Sequence, residues 1–345
     1  METLFNFTNK EFSLITAGEM IMRLSPTNNE LLVQGNLLIK QMGGSEFNVA
    51  SLTALLGENV AMLTKIPYNT IGEFAHKSIL TNKLSDKYII FDRSLEKRMA
   101  IYYYEYGANP RKPRVTYDRL NSSFQNLKLE EIPIEIFSST KIFHTSGITL
   151  GLSKSINNLT KELIKKFKSQ GTKISFDVNF RQNLWEENVA REEIEKILPY
   201  IDILFASEET FRKMFKQKGE IEEIIEKFSK TYDIKIISST RREVKSPSSH
   251  NFSSIIYEKE NNKFYKEKAY QNIQVIDRIG SGDAYVAGVL YGILKENDIE
   301  KALKYGNASA ALKNTIVGDN ACINISMLEE IINEHENGCN CEMTR

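Results

Sequence analysis

An aspartate placed directly after a glycine-bearing turn is the residue of this sequence with the clearest chemical use. The stretch is Asp277-Arg278-Ile279-Gly280-Ser281-Gly282-Asp283-Ala284-Tyr285-Val286-Ala287-Gly288. A β-prone run, Ile273 to Ile276, leads into the glycines, and an apolar helix-like segment from Ala284 to Lys295 follows Asp283. Glycines at such a turn let backbone N–H groups converge on an anion, and the helix adds its positive end. A pure phosphate cradle has no use for a carboxylate there. A site that moves a phosphoryl group onto a hydroxyl does, because that hydroxyl must lose a proton beside the phosphate. The plainer reading makes Asp283 a carboxylate in the favourable first turn of a helix.

Bulk properties restrict the partners. With 345 residues the chain can bury a large core, as one domain or one domain with an insertion. Its 45 basic and 45 acidic residues cancel, so no global field recruits nucleic acid or an anionic membrane surface. Met1 to Glu11 lacks the charged and apolar regions of a secretory signal, and no apolar run of about 18 residues suggests a membrane span. Cys322, Cys339 and Cys341 make no disulfide framework, which fits a reducing cytoplasm. His335 with Cys339 and Cys341 reads as a polar tail with reduced thiols rather than as a metal cluster.

Elements that must position Asp283 follow from periodicity. Phe12–Ala17 and Val60–Thr64 read as strands, with a glycine turn over Gln41–Asn48 running into a helix over Val49–Leu56, and Ile71–Asn82 is helical. Alternation resumes at Lys141–His144 (strand), Ser153–Ser169 (helix), Lys173–Asp177 (strand), Glu187–Leu198 (helix), Asp202–Phe205 and Ile234–Ser238 (strands). Arg241–Asn251 reads as a loop, Phe252–Tyr257 and Lys263–Lys268 as an antiparallel pair, and Asp298–Asn314 and Ser326–His335 as helices. The expected fold is α/β, a mostly parallel sheet between helices. Residues 98–119 interrupt it with an aromatic β-hairpin outside the main sheet. An edge hairpin with aromatic cross-strand pairs is the alternative.

Ligands of open α/β sheets bind beyond the carboxyl ends of the strands. His144–Ser146, Asp177–Arg181, Ser207–Glu209 and Gly280–Asp283 all fall at such ends. No G-x-x-x-x-G-K-[ST] loop, dinucleotide fingerprint, protein-kinase motif set or HExxH helix is present.

The stretch Gly280 to Gly288 resembles the C-terminal signature of ribokinase-like (PfkB-type) sugar kinases, D-T-x-G-A/G-G-D-x-F-x-A-G. Met42-Gly43-Gly44-Ser45-Glu46-Phe47-Asn48-Val49-Ala50 resembles the family's G-G-A-x-x-N-x-A motif. Thr145–Thr149, Ser175–Trp185 and Val115–Arg119 are similar to segments of the 2-keto-3-deoxygluconate kinase branch, and the likeness spans Ser13 to Ser326. The resemblance implies a three-layer ribokinase-like fold over 1–345, with a β-lid built from segments around 20–45 and 98–119. It implies ATP- and Mg2+-dependent phosphorylation of 2-keto-3-deoxy-D-gluconate at its 6-hydroxyl, and a homo-oligomer formed through the lid. Other sugars or sugar acids, or a sensor without turnover, are the alternatives.

By the same resemblance Asp283 is the general base, and Gly280, Ser281 and Gly282 form the anion hole. Gly44, Asn48, Tyr103, Tyr117, Arg119, Ile148, Arg181 and Asp319 would hold the sugar acid, Arg119 and Arg181 taking its carboxylate by charge. Asp177, Asn179, Ser207, Thr240, Arg242 and Asn307 would serve the nucleotide, and Glu209 the water around Mg2+. Three places depart from the pattern: Ser281 in the anion hole, Arg278 where Thr is common, and the irregular nucleotide segment Ser239–Glu243.

Overall fold

The structure, a computed structural model, describes residues 4–338. The chain runs β1 (Phe12–Ala17), β2 (Ile21–Pro26), β3 (Leu38–Gly43), α1 (Ser45–Leu55), β4 (Val60–Pro67), α2 (Thr70–Thr81), β5 (Ile89–Asp92), β6 (Ala100–Glu105) and β7 (Arg114–Asp118). It continues through β8 (Thr140–Ser146), α3 (Gly147–Leu150), α4 (Lys154–Ser169), β9 (Lys173–Asp177), α5 (Glu187–Glu195), β10 (Ile203–Phe205), α6 (Glu208–Lys213) and α7 (Ile221–Tyr232). The last part holds β11 (Ile236–Ser246), β12 (Ser249–Glu258), β13 (Lys263–Lys266), β14 (Tyr270–Gln274), α8 (Ser281–Glu296), α9 (Ile299–Asn314) and α10 (Ile325–Asn337).

The main sheet has the order β13-β12-β11-β10-β9-β8-β1-β4-β5, with β14 also paired to β12. From β11 to β5 every pairing is parallel, and β12 turns the edge antiparallel. All six residues of β1 are buried, as a strand covered on both faces requires. Successive residues feed opposite cores: Leu14 joins the one that also holds α1, α8 and α9, while Ile15 joins the one that holds α4, α5 and α7. On α4, Ile156, Leu159, Leu163 and Phe167 are buried at helical spacing. Helix α8 is buried nearly all round, being held against both α1 and α9, and its sequence is accordingly apolar on every face.

A second sheet, β3-β2-β6-β7, is made of the 21–43 and 100–118 segments. The hairpin expected there pairs in register Tyr102↔Tyr117 and Tyr103↔Thr116, and joins β2 rather than standing at an edge of the main sheet. Two expectations fail. Gln41–Asn48 is not an extended turn, because β3 runs to Gly43 and only Gly44 separates it from α1. Arg241–Asn251 is not a loop: β11 and β12 continue as a ladder from Ile236↔Glu258 to Ser246↔Ser249, the β11 side exposed from Arg241 to Lys245. Cys339 and Cys341 lie outside the described residues. His335 stacks on Tyr270 at 3.7 Å and its Nε2–H donates to Lys268 O. Among the described residues no helix is long and apolar enough to cross a membrane.

Candidate active site

Asp283 is delivered by a turn that only glycine makes easily. Gly280 caps α8 with φ +80, and a Cβ there would run into Asp319 O. The opening N–H groups of a helix have no intrahelical acceptor, so those of Gly282 and Asp283 face outward from α8. That of Ser281 leans on Arg278 O at 3.3 Å. Nothing beyond its own helix turn lies within 4 Å of where a Gly282 Cβ would stand, so this side of the helix start is open.

The second half of the site comes from α1. Gly44 caps it at φ +130, where a Cβ would meet Glu19 O. One helical turn then places Ser45 and Asn48 side by side. Ser45 Oγ donates to Asp283 Oδ1 at 2.8 Å, and Asn48 Nδ2 donates to Asp283 Oδ2 at 2.7 Å. Asn179, just past β9, donates through Nδ2 to Ser45 Oγ at 2.9 Å, completing a relay of donors onto the carboxylate.

Burial pushes the Asp283 pKa up, and the two donors, Arg181 and Lys313 pull against it. Asp177 is pushed up to about 7 by burial and by Asp283, with Arg181 opposing. Glu46, held by Ser146 Oγ at 2.6 Å and Thr149 Oγ1 at 2.7 Å, is also raised, first by burial. Three carboxyls thus crowd one buried corner. Opposite them, Arg181, Arg242 and Arg278 reach solvent, and among the described residues none is in an ion pair. Desolvation, then the charges of Arg278 and Arg181, pull the Arg242 pKa down. Three clustered guanidinium groups make this rim attractive to a polyanion.

The remaining expected residues divide. Ile148 opens α3 with its N–H on Ser146 Oγ, and Thr240 lies on β11 opposite Ser254. Arg119 is already engaged: its Nε and Nη2 donate to Glu19 Oε2 at 2.9 and 2.6 Å. Asp319 is buried and accepts from Arg23 Nη1 at 2.9 Å and from Tyr102 Oη at 2.7 and 2.6 Å. Asn307 is fully buried, bridging Ser254 and Glu267. Ser207 caps α6, and Glu209 lies exposed, paired to Lys213 one turn on.

Tyr103 and Tyr117, both expected at the sugar, fall on opposite faces of the hairpin. Facing residues of an antiparallel ladder share a side, so the pairing Tyr102↔Tyr117 puts Tyr102 on the face of Tyr117 and turns Tyr103 to the other. The rings of Tyr102 and Tyr117 lie 5.8 Å apart, and Tyr102 reaches Asp319. In a run of three tyrosines only the register distinguishes them. Ser45 and Glu46 lay inside a recognised motif without being singled out. Arg23, fully buried, ties β2 to Asp277 Oδ2 at 2.7 Å and to Asp319, and carried no signal in an apolar strand.

Comparison with known proteins agrees with this geometry. The profile of the pfkB family carbohydrate kinases matches residues 12–325. The chain is 30% identical over 319 residues to the 2-dehydro-3-deoxygalactonokinase of Haloferax volcanii, across 92% of this chain and 96% of that one. It is 26% identical over 323 residues to a 5-dehydro-2-deoxygluconokinase of Clostridium botulinum, across 91% and 89%. The crystal structure of the 2-dehydro-3-deoxygluconokinase of Thermotoga maritima superposes with a TM-score of 0.88 at 29% identity, covering 94% of this chain and 98% of that one. The chain belongs to the pfkB family of carbohydrate kinases, phosphotransferases on a ribokinase-like α/β fold.

Proposed function

We propose that the protein phosphorylates 2-keto-3-deoxy-D-gluconate at its 6-hydroxyl, with ATP as donor. The carrying observation is Asp283, whose two oxygens are fixed by Ser45 and Asn48 at the open N-terminal end of α8. Asp283 receives the proton of the hydroxyl as it attacks the phosphorus in line. A carboxylate whose pKa is raised is a better proton acceptor than a solvated one. The N–H groups from Gly280 to Gly282 take up charge on the transferred group, and Arg242 and Arg278 hold the polyphosphate.

The open space at Gly282 and the guanidinium groups of Arg242 and Arg278 fit a nucleoside triphosphate. Magnesium fits as an ion carried by the phosphates, with Asp177 the neighbouring carboxylate, since Mg2+ keeps several waters and few protein ligands. When bound, it neutralises phosphate charge. Arg181, open to solvent, is the better candidate for the sugar carboxylate, since Arg119 already holds Glu19. We infer that the four-stranded sheet covers the sugar and excludes water. Leu37, Ile39, Val115 and Leu120 lie exposed on and beside it, suited to contact with a second copy, which light scattering tests by a dimer mass.

A second reading, the 4-epimeric galactonate analogue as substrate, is favoured by the Haloferax volcanii relative. Direct measurement of ADP over both epimers, 5-keto-2-deoxygluconate, fructose and ribose decides. Turnover confined to neutral sugars refutes the sugar-acid reading, and sugar binding with no ADP formed on any member refutes the catalytic one.

A further inference from the structure

Lys313 is a fully buried lysine that the reaction, as set out above, does not use. It sits in the last turn of α9, directly behind the loop that leads into α8. Its Nζ donates to two backbone carbonyls, Asp277 O at 3.2 Å and Ile316 O at 2.9 Å. The same helix end accepts, through Asn314 O, the N–H groups of Ile276 at 2.8 Å and Asp277 at 3.1 Å. Asp277 is fixed further by Arg23, by the N–H of Gly318 at 2.9 Å and by the N–H of Ile279 at 3.1 Å. The residue that starts the anion-binding loop is therefore pinned from every side, and its carbonyl is pinned by Lys313.

Carbonyl oxygens converging on one buried positive charge make the environment that otherwise holds a monovalent cation. Here the charge arrives on a side chain. Burial lowers the Lys313 pKa, while Asp277, Asp319 and Asp283 pull it back up against Arg23. We propose that Lys313 is a positioning residue, a tethered cation filling a carbonyl-lined hole so that the Asp277–Gly280 turn aims the N–H groups that open α8 at the transferring phosphoryl group. The proposal rests on the reading of that loop as the phosphoryl site. It implies turnover without an added monovalent cation.

The test uses the full chain with the tetramethylammonium salt of ATP and Mg2+, ADP being read directly by chromatography because coupling enzymes have cation needs of their own. Wild-type kcat is expected to change less than about twofold when K+ or NH4+ replaces tetramethylammonium. Lys313→Ala opens the hole and is expected to lose about tenfold or more in kcat, with most of the loss restored by K+ or NH4+. Lys313→Met fills the hole without charge and should stay slow in every salt.

Thermal melts give a second readout independent of turnover. K+ should raise the melting temperature of Lys313→Ala relative to tetramethylammonium, and leave wild type and Lys313→Met alone. Wild-type kcat in Lys313→Ala without K+, or a loss that no small cation restores in kcat, overturns the proposal. A melt that responds to K+ while kcat does not overturns the link to the loop and leaves the kinase reading intact. No ADP from wild type on any sugar overturns that reading, while the melts still judge the cation hole.

Discussion

Ser45→Ala removes one of the two donors that favour the ionised form of Asp283 in a buried corner. Oδ1 loses its 2.8 Å hydrogen bond while Oδ2 keeps Asn48, and Asn179 loses the hydroxyl it donates to. A hydrogen bond to a charged group contributes about 1.5–3 kcal/mol net. At about 1.4 kcal/mol per pKa unit, its loss should raise the Asp283 pKa by about 1–2 units beyond its already raised value. The sign follows directly. A base with a higher pKa is protonated at higher pH, so the acid limb of the kcat profile moves up by about 1–2 pH units. Above that limb kcat should stay within a few fold of wild type, because alanine is a good helix former and leaves α1 and Asn48 in place. Rates read by ADP release from pH 5 to 10, with melts to confirm folding, decide it. An unmoved acid limb, or a loss equal at every pH, would falsify the view that Ser45 tunes the base.

Asp283→Asn should lower kcat by about 10²–10⁴-fold while ATP still binds, as calorimetry would show; near-normal turnover sinks the mechanism. Arg23→Leu leaves Asp277 and Asp319 as buried carboxylates without their shared cation, and should cost about 3–5 kcal/mol in urea unfolding. A change below about 1 kcal/mol would mean that the pair is not buried in solution. Arg181→Ala should raise KM for the sugar acid while leaving any weak turnover of fructose unchanged; a shift confined to KM for ATP assigns Arg181 to the phosphates instead.

The sequence made legible what local pattern can encode. Parallel strands show as continuous apolar runs, and Asp283 shows through its glycines and its place beyond a strand end. What stayed hidden depends on long-range pairing. Arg23 occupies one position of an otherwise ordinary strand, and nothing near it announces carboxylates at Asp277 and Asp319. Lys313 ends a helix, where a lysine is expected to face solvent, and only the approach of the 276–277 segment buries it. Arg119 was placed at the sugar by resemblance and given the carboxylate by charge, and its partner Glu19 lies 100 residues away. Tyr102 and Tyr103 differ only in which side of a strand they occupy, which the register fixes and composition does not. The outer half of β11 lacks the apolar alternation that marks a half-buried strand, since Arg241 to Lys245 are all exposed, while its partner β12 keeps a buried face at His250, Phe252 and Ser254.

The Arg23 bridge also limits how the four-stranded sheet can move. Strand β2 is bolted to the root of α8 by an ion pair whose two side chains are fully buried, so β2 cannot travel without dragging Asp277 or breaking that pair. Its partner β3 is buried only at Met42 and Gly43 and exposed from Leu38 to Lys40, while all of β7 is exposed. Motion of this sheet is therefore expected at the rim, with the inner strand fixed. Whatever enters beneath the sheet meets a stiff hinge line and a compliant edge, and the alignment of the first turn of α8 is insulated from the traffic.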